Sequence, residues 1–357
     1  MKKTLISTLT TLGLALGATG ASAYTIDLSY PYLTYGNTNS YSMPVSAYYY
    51  DQANGGGTGP GNPYYIASGP GQIMDGVVIY TGSGGQNVTT NAAGFDNAYE
   101  TPNGSSPVFA NFAGTGATQP NTAGKDITNN LSTTWDANLT YLKNFLDGDT
   151  ALFLFNNNDT NADQSLAIWA KMWITNGTND VYNGQYLYLT NRGLVYGAGG
   201  VPFGNATTYN GGNVTSPLTG YGSSDYVLSG GQLNANGETF NHNLGANQVA
   251  YAADVPLLNM WLNTLFSLSD AALSQYTMHL DVRLGCDTPA NWVSGVDNQG
   301  NPITCSNVKI DNGYEQLFLV KNDWTNRVPE PESLVLLGIG LLGLSTLGRR
   351  RNRAAKI

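Results

Sequence analysis

The order of apolar and polar positions divides the chain into elements before any motif is considered. Ala151 to Phe155 is an unbroken apolar run and predicts a buried strand. Leu166 to Thr175 alternates instead, with Leu166, Ile168, Ala170, Met172 and Ile174 on one face and Trp169, Lys171 and Trp173 on the other. Shorter strands are predicted at residues 76–81, 186–190, 225–229, 277–284 and 316–321. Helical spacing appears twice. Leu139, Leu142, Phe145 and Leu146 recur at helical steps within Thr133 to Leu146, with Thr133 or Thr134 as cap and Gly148 as stop. Pro256 to Phe266 forms the second, led by Asp254 as its cap. Residues 24–130 are rich in Tyr, Gly, Asn, Ser, Thr and Pro and read as short strands on long loops. No fixed repeat period is present, which argues against a solenoid or propeller. Many strands, Gly/Asn turns and one or two short helices predict an all-β body, β-sandwich or jelly-roll-like.

The two ends break this pattern. Lys2 and Lys3 precede an apolar stretch from Leu5 to Leu16, and small residues end at Ala21, Ser22 and Ala23. A charged start, a short apolar core and a small-residue cleavage site predict a signal peptide over residues 1–23. At the other end Pro329, Glu330 and Pro331 are followed by an apolar span at 334–347 and then by Arg349, Arg350 and Arg351. The span is short for a single transmembrane segment, which needs about 20 residues, but flanking residues extend it. The arginines hold its end on the cytoplasmic side, so the body, residues 24–327, is left outside.

Residues 328–357 resemble the PEP-CTERM sorting signal, with its Pro-Glu-Pro motif, Leu/Gly-rich span and terminal Arg cluster all present in order. The resemblance implies recognition by an exosortase, a membrane-embedded cysteine transpeptidase-like enzyme of Gram-negative bacteria that make exopolysaccharide. It further implies transient residence in the inner membrane, removal of the tail and delivery to the cell surface or extracellular matrix. A plain C-terminal membrane anchor is the alternative. In the body, Asp96 to Tyr99, the Trp135 helix leading into Phe153 to Asn156, Asp225 to Gly231, Asn243 to Gly245, Arg283 to Asp287 and Asn312 to Gln316 are similar to stretches of other proteins with this tail. That set has no assigned enzymatic activity, so the likeness strengthens the address and leaves the activity open.

Charge changes the picture once the ends are set aside. The chain of 357 residues has 15 basic and 24 acidic side chains, but residues 24–327 hold 8 against 22, a net charge of −14. Such a body repels nucleic acid and anionic lipid. Charged residues make up only 11% of the chain, so its polar surface comes from Gly, Asn, Ser, Thr and Tyr, which suits a secreted or matrix protein. Cys286 and Cys305 are the only cysteines, and in an exported body they predict one disulfide. Closing a loop of about 20 residues, it is worth on the order of 3 kcal/mol. A catalytic thiol, the competing reading, needs a free Cys beside a base.

Candidate chemistry is sparse. His242 and His279 stand in no metal or hydrolase motif, and His279, Asp281 and Arg283 are expected on a solvated strand face. Glu100, Glu238 and Glu315 leave a paired-carboxylate glycosidase as a minor reading. Calcium is the better inorganic candidate, because Asp159, Asn161 and Asp163 place oxygen ligands at alternate positions. This loop lacks the turn glycine and distant glutamate of an EF-hand, and Asx-rich loops also form turns without metal. Asp96 and Glu100 are a weaker second pair. Trp169 and Trp173, with Lys171 between them, would make a sugar-stacking platform if exposed. The frequency of Trp in sandwich cores favours the other placement, between two sheets or between a sheet and the helix carrying Trp135.

These features predict an exported, exosortase-processed surface or matrix protein with a non-catalytic, structural or adhesive body associated with exopolysaccharide or with itself. The alternative is a calcium-dependent carbohydrate-binding module, with a glycosidase behind it.

Overall fold

The computed structural model describes residues 23–68, 76–81, 91–100, 127–131, 133–157, 164–189, 195–196, 227–230, 232–235, 238–245, 248–284, 293–296, 302–304 and 315–325. The apolar part of the expected signal peptide and the whole sorting tail lie outside these residues. Among the described residues the chain is mostly strand, with helices at Met43–Asn54, Leu139–Leu146, Pro256–Leu265 and Asp270–Leu273. None of these helices is long and apolar enough to cross a membrane.

The helices outnumber the one or two expected, and each departure has a local cause. Met43–Asn54 begins where the Ser42 hydroxyl accepts the Val45 N–H at 3.3 Å, carries a proline in its first turn and stops at Gly55 with φ of 73°. Thr133 and Thr134 are not caps. Trp135–Asn138 is a strand, and Asn138 caps Leu139–Leu146 by accepting the Thr140 N–H at 3.0 Å. That helix ends at Asp147 in the left-handed region, followed by Gly148 with φ of 93°. Asp254 is not a cap either: Val255 holds that position without a side-chain bond, while Asp254 accepts the Asn259 amide at 2.9 Å.

Eight strands form the larger sheet, in the spatial order Val195–Tyr196, Leu33–Tyr35, Thr38–Ser42, Tyr251–Asp254, Ala151–Asn156, Gln316–Lys321, Val77–Thr81 and Tyr99–Glu100. All pairs are antiparallel except the last. The smaller sheet places Leu187–Leu189, Gln164–Asn176, Tyr276–Leu284 and Trp135–Asn138 side by side. Asn179–Asp180 and Val227–Gly230 also pair along its long Gln164–Asn176 strand.

The two sheets share one core. Phe153, Phe155, Leu317 and Leu319 of the larger meet Ile168, Ala170, Met172, Ile174, Leu280 and Val282 of the smaller, and Leu142, Leu258, Trp261 and Leu262 add helix side chains. The alternate residues of the larger sheet, Leu152, Leu154, Phe318 and Val320, point the opposite way into a second cluster with Met43, Ala47, Tyr64 and Ile66. Ala151–Asn156 is therefore buried at every position, which is why its sequence is an unbroken apolar run. Each such Leu or Phe contributes about 1.5–3 kcal/mol of burial. The smaller sheet is apolar on one face only.

Candidate functional site

The face of the smaller sheet turned away from the shared core carries the aromatic and charged residues. On Gln164–Asn176 the core residues Ile168, Ala170, Met172 and Ile174 are buried, while Trp169, Lys171 and Trp173 between them are half-buried. The two tryptophans thus fill neither the space between the sheets nor the space under the helix after Trp135, because strand parity sets them on the opposite side from the core methyls. The neighbouring edge strand Leu187–Leu189 adds Tyr188, and Tyr186 stands just before it, with Leu187 between them turned into the core. The rings form a continuous row. Trp169 and Tyr188 centroids lie 6.2 Å apart, Tyr188 and Tyr186 6.3 Å, and Tyr186 and Trp173 5.8 Å with their planes at 88°.

Cations sit on these rings. Lys171 Nζ lies 4.6 Å from the centroid of Trp173 and 4.6 Å from that of Tyr186. Arg283 Cζ lies 5.1 Å over Trp169 while its guanidinium also forks onto Asp281, Nη2 to Oδ2 at 2.9 Å and Nε to Oδ1 at 3.1 Å. Asp281 is the residue directly across the ladder from Lys171, yet Arg283 takes its carboxylate.

At one end the face becomes a buried polar chain. Trp173 stacks on His279 at 5.1 Å. His279 Nε2 bonds Thr175 Oγ1 at 2.9 Å, and Nδ1 bonds Asp136 Oδ1 at 2.8 Å. Asp136 also accepts the Thr134 hydroxyl at 2.6 Å and the Leu131 N–H, and its own N–H donates to Asp96 Oδ2 at 3.1 Å. His279, Asp136 and Asp96 are fully buried and Asp281 is buried, so the solvated face expected for His279 and Asp281 is not what forms. Long-range packing is the reason: residues 94–98, 127–131 and 133–134 lie against this end of the sheet, joined to it through the Phe95 to Ala137 bridge and the Thr277 hydroxyl donating to the Thr128 carbonyl. Burial and the adjacent Asp136 charge push the Asp96 carboxyl up to about 7. Its oxygens already accept bonds from Asp136, Asn130 and Tyr99, so Asp96 is poorly disposed to ligate the second calcium considered for it with Glu100.

His242 is the other buried histidine and is built differently. Its Nε2 meets Ser42 Oγ at 2.6 Å, at the cap of the Met43–Asn54 helix, and its ring stacks on Tyr251 at 4.6 Å and 7°. Nδ1 has no hydrogen-bond partner among the described residues. Burial without a carboxylate pushes its pKa down to about 3, so the ring is neutral. Between the sheets a cavity of about 80 Å3 is lined by Phe153, Phe155, Ile168, Met172, Leu280 and Leu317 among others. Ligand pockets usually span about 300–1,000 Å3, so this space is too small for a sugar.

Cys286, Cys305, Asp159, Asn161 and Asp163 lie outside the described residues, as do Pro329, Glu330, Pro331, Arg349, Arg350 and Arg351. Among the described residues no cluster of three or more His, Cys, Asp or Glu side chains is arranged to hold a metal. Of the predicted site residues the structure brings together Trp169 and Trp173, and it adds Tyr186, Tyr188 and Arg283. The alternation of Tyr186 and Tyr188 around Leu187 was the signal available for the two tyrosines.

Two family models match the chain. One, described as Domain of unknown function (DUF8239), matches residues 26–283 and so covers the aromatic face and every strand of the larger sheet except Gln316–Lys321. The other, described as PEP-CTERM protein-sorting motif, matches residues 327–351. No curated protein and no solved structure matches.

Proposed function

From the premise that the chain belongs to the DUF8239 family and ends in a PEP-CTERM sorting motif, which makes it an exported, exosortase-sorted surface protein, we propose that its body is a non-catalytic adhesive component that holds exopolysaccharide. The observation that supports this reading is the row of Trp169, Tyr188, Tyr186 and Trp173 on the face of the smaller sheet away from the core. Sugar rings present apolar C–H faces that stack on such a surface, and the polar rims of the rings and the flanking cations bind their hydroxyls. We read the two sheets as a β-sandwich that fixes this row in place, and the host as a Gram-negative bacterium that secretes the glycan.

The test is intrinsic tryptophan fluorescence of the purified chain titrated with the host's exopolysaccharide, with and without calcium. A saturable shift lost in Trp173→Ala supports adhesion through this face. A shift that also requires calcium supports a metal at the Asp159 to Asp163 loop, and no response at high polysaccharide removes the adhesive reading. The address has its own test: deleting residues 328–357 is expected to abolish surface delivery, and unchanged delivery would refute sorting by the tail.

A further inference from the structure

The two cations on the aromatic face are held differently. Lys171 and Asp281 are direct partners across the ladder between Gln164–Asn176 and Tyr276–Leu284, the position where opposite charges ordinarily pair. Here Arg283 occupies the Asp281 carboxylate with two nitrogens. Lys171 instead leans the other way, with its ammonium 4.6 Å from the Trp173 and Tyr186 centroids, and no carboxylate among the described residues lies within ion-pair distance of it. Ring faces hold the cation in place without using its three N–H donors, which bond no protein acceptor among the described residues.

We infer that Lys171, seated between Trp173 and Tyr186, selects glycans that carry carboxylates, so that the face binds a uronate-containing polysaccharide in preference to a neutral one. The inference rests on the proposed adhesive function and names its ligand class. The geometry matches what an acidic sugar offers: an apolar C–H face to lie along the outer edge of the aromatic row and, at its rim, a carboxylate able to accept charge-assisted hydrogen bonds from the ammonium. The rest of the body works against an acidic ligand. With 8 basic against 22 acidic residues it repels polyanions at a distance, so affinity for an acidic glycan has to come from a placed cation and not from overall charge.

The experiment titrates the full chain, by tryptophan fluorescence, with three probes: short oligogalacturonate, the same oligomer methyl-esterified, and a neutral glucan oligomer of equal length. Binding of oligogalacturonate is expected to weaken roughly tenfold on esterification and roughly tenfold in Lys171→Gln, with little further loss when the two are combined, because both remove one interaction. Lys171→Arg keeps a cation there and is expected to retain most of the affinity. Equal affinity of Lys171→Gln and wild type for oligogalacturonate overturns the inference, as does equal binding of the esterified and acidic oligomers. In either case binding that is still lost in Trp173→Ala leaves the adhesive reading standing. Failure of all three probes to bind overturns both.

Discussion

The two sheets differ most on the faces they turn away from each other. The larger sheet is covered there: Leu152, Leu154, Phe318 and Val320 disappear under Met43, Ala47, Tyr64 and Ile66. The smaller sheet presents Trp169, Lys171, Trp173, Tyr186 and Tyr188, partly open to solvent and braced by cations. A face that only needed stability would be closed as the first is, with apolar side chains and a helix. Partly exposed tryptophan on the second is unfavourable for solubility, which supports the proposed contact role of this face.

The strongest way to break the comparison is to attack the covered face. Phe318→Ala leaves a cavity in a fully buried cluster and is expected to cost about 3–5 kcal/mol in denaturant unfolding. Trp173→Ala, on the open face, is expected to cost clearly less stability while removing glycan binding. Equal stability losses would show that the two faces are one kind of core. Next in size is Asp136→Asn, which takes the charge from the hydrogen bond with His279 and is expected to cost about 1.5–3 kcal/mol.

The buried titrating groups sharpen the contrast, because they respond to pH with opposite signs. His242, by the covering helix, has its pKa lowered from 6.5 to about 3, so the unfolded chain binds the proton first. Its contribution is complete above pH 6.5 and is lost as pH falls toward 3, at about 1.4 kcal/mol per unit. Asp96, beside the open face, has its pKa raised from 3.8 to about 7, so its contribution is complete below 3.8 and is lost as pH rises toward 7. Between about pH 4 and 6.5 the two slopes oppose each other and wild-type stability is expected to change little. His242→Gln should expose a decline with rising pH, and Asp96→Asn a decline with falling pH, both read from urea midpoints. A flat profile in both variants would contradict the assignments. The smallest effect is expected at the start of the short Asp270–Leu273 helix, where Ser269→Ala removes an exposed cap worth about 1 kcal/mol.

The sequence made the contrast legible in part. The unbroken apolar run at Ala151 to Phe155 and the alternation from Leu166 to Thr175 report one strand covered on both faces and one covered on a single face. The same alternation placed Trp169 and Trp173 opposite Ile168 and Ala170, and the general tendency of Trp to be buried was the weaker guide. The Met43–Asn54 helix was hidden because Tyr48 to Tyr50 favour strands, although Ser42 and Pro44 spell a helix start. The burial of His279 had no local signal, since it depends on Asp136, 143 residues away, and on the segment at 127–131.

One contact between the sheets bears on life at a crowded surface. Tyr188 sits on the edge strand Leu187–Leu189, and its outward carbonyl and N–H are both taken by Asn37: the Asn37 N–H donates to the carbonyl and the Tyr188 N–H donates to Asn37 Oδ1, each at 2.9 Å, with Thr38 adding its hydroxyl at 3.2 Å. An edge whose donors and acceptors are spent in this way offers no template for strand addition. Copies of the protein displayed at high density are thereby kept from zippering together along this edge, and the aromatic row beside it stays open for the proposed ligand instead of being consumed in aggregates.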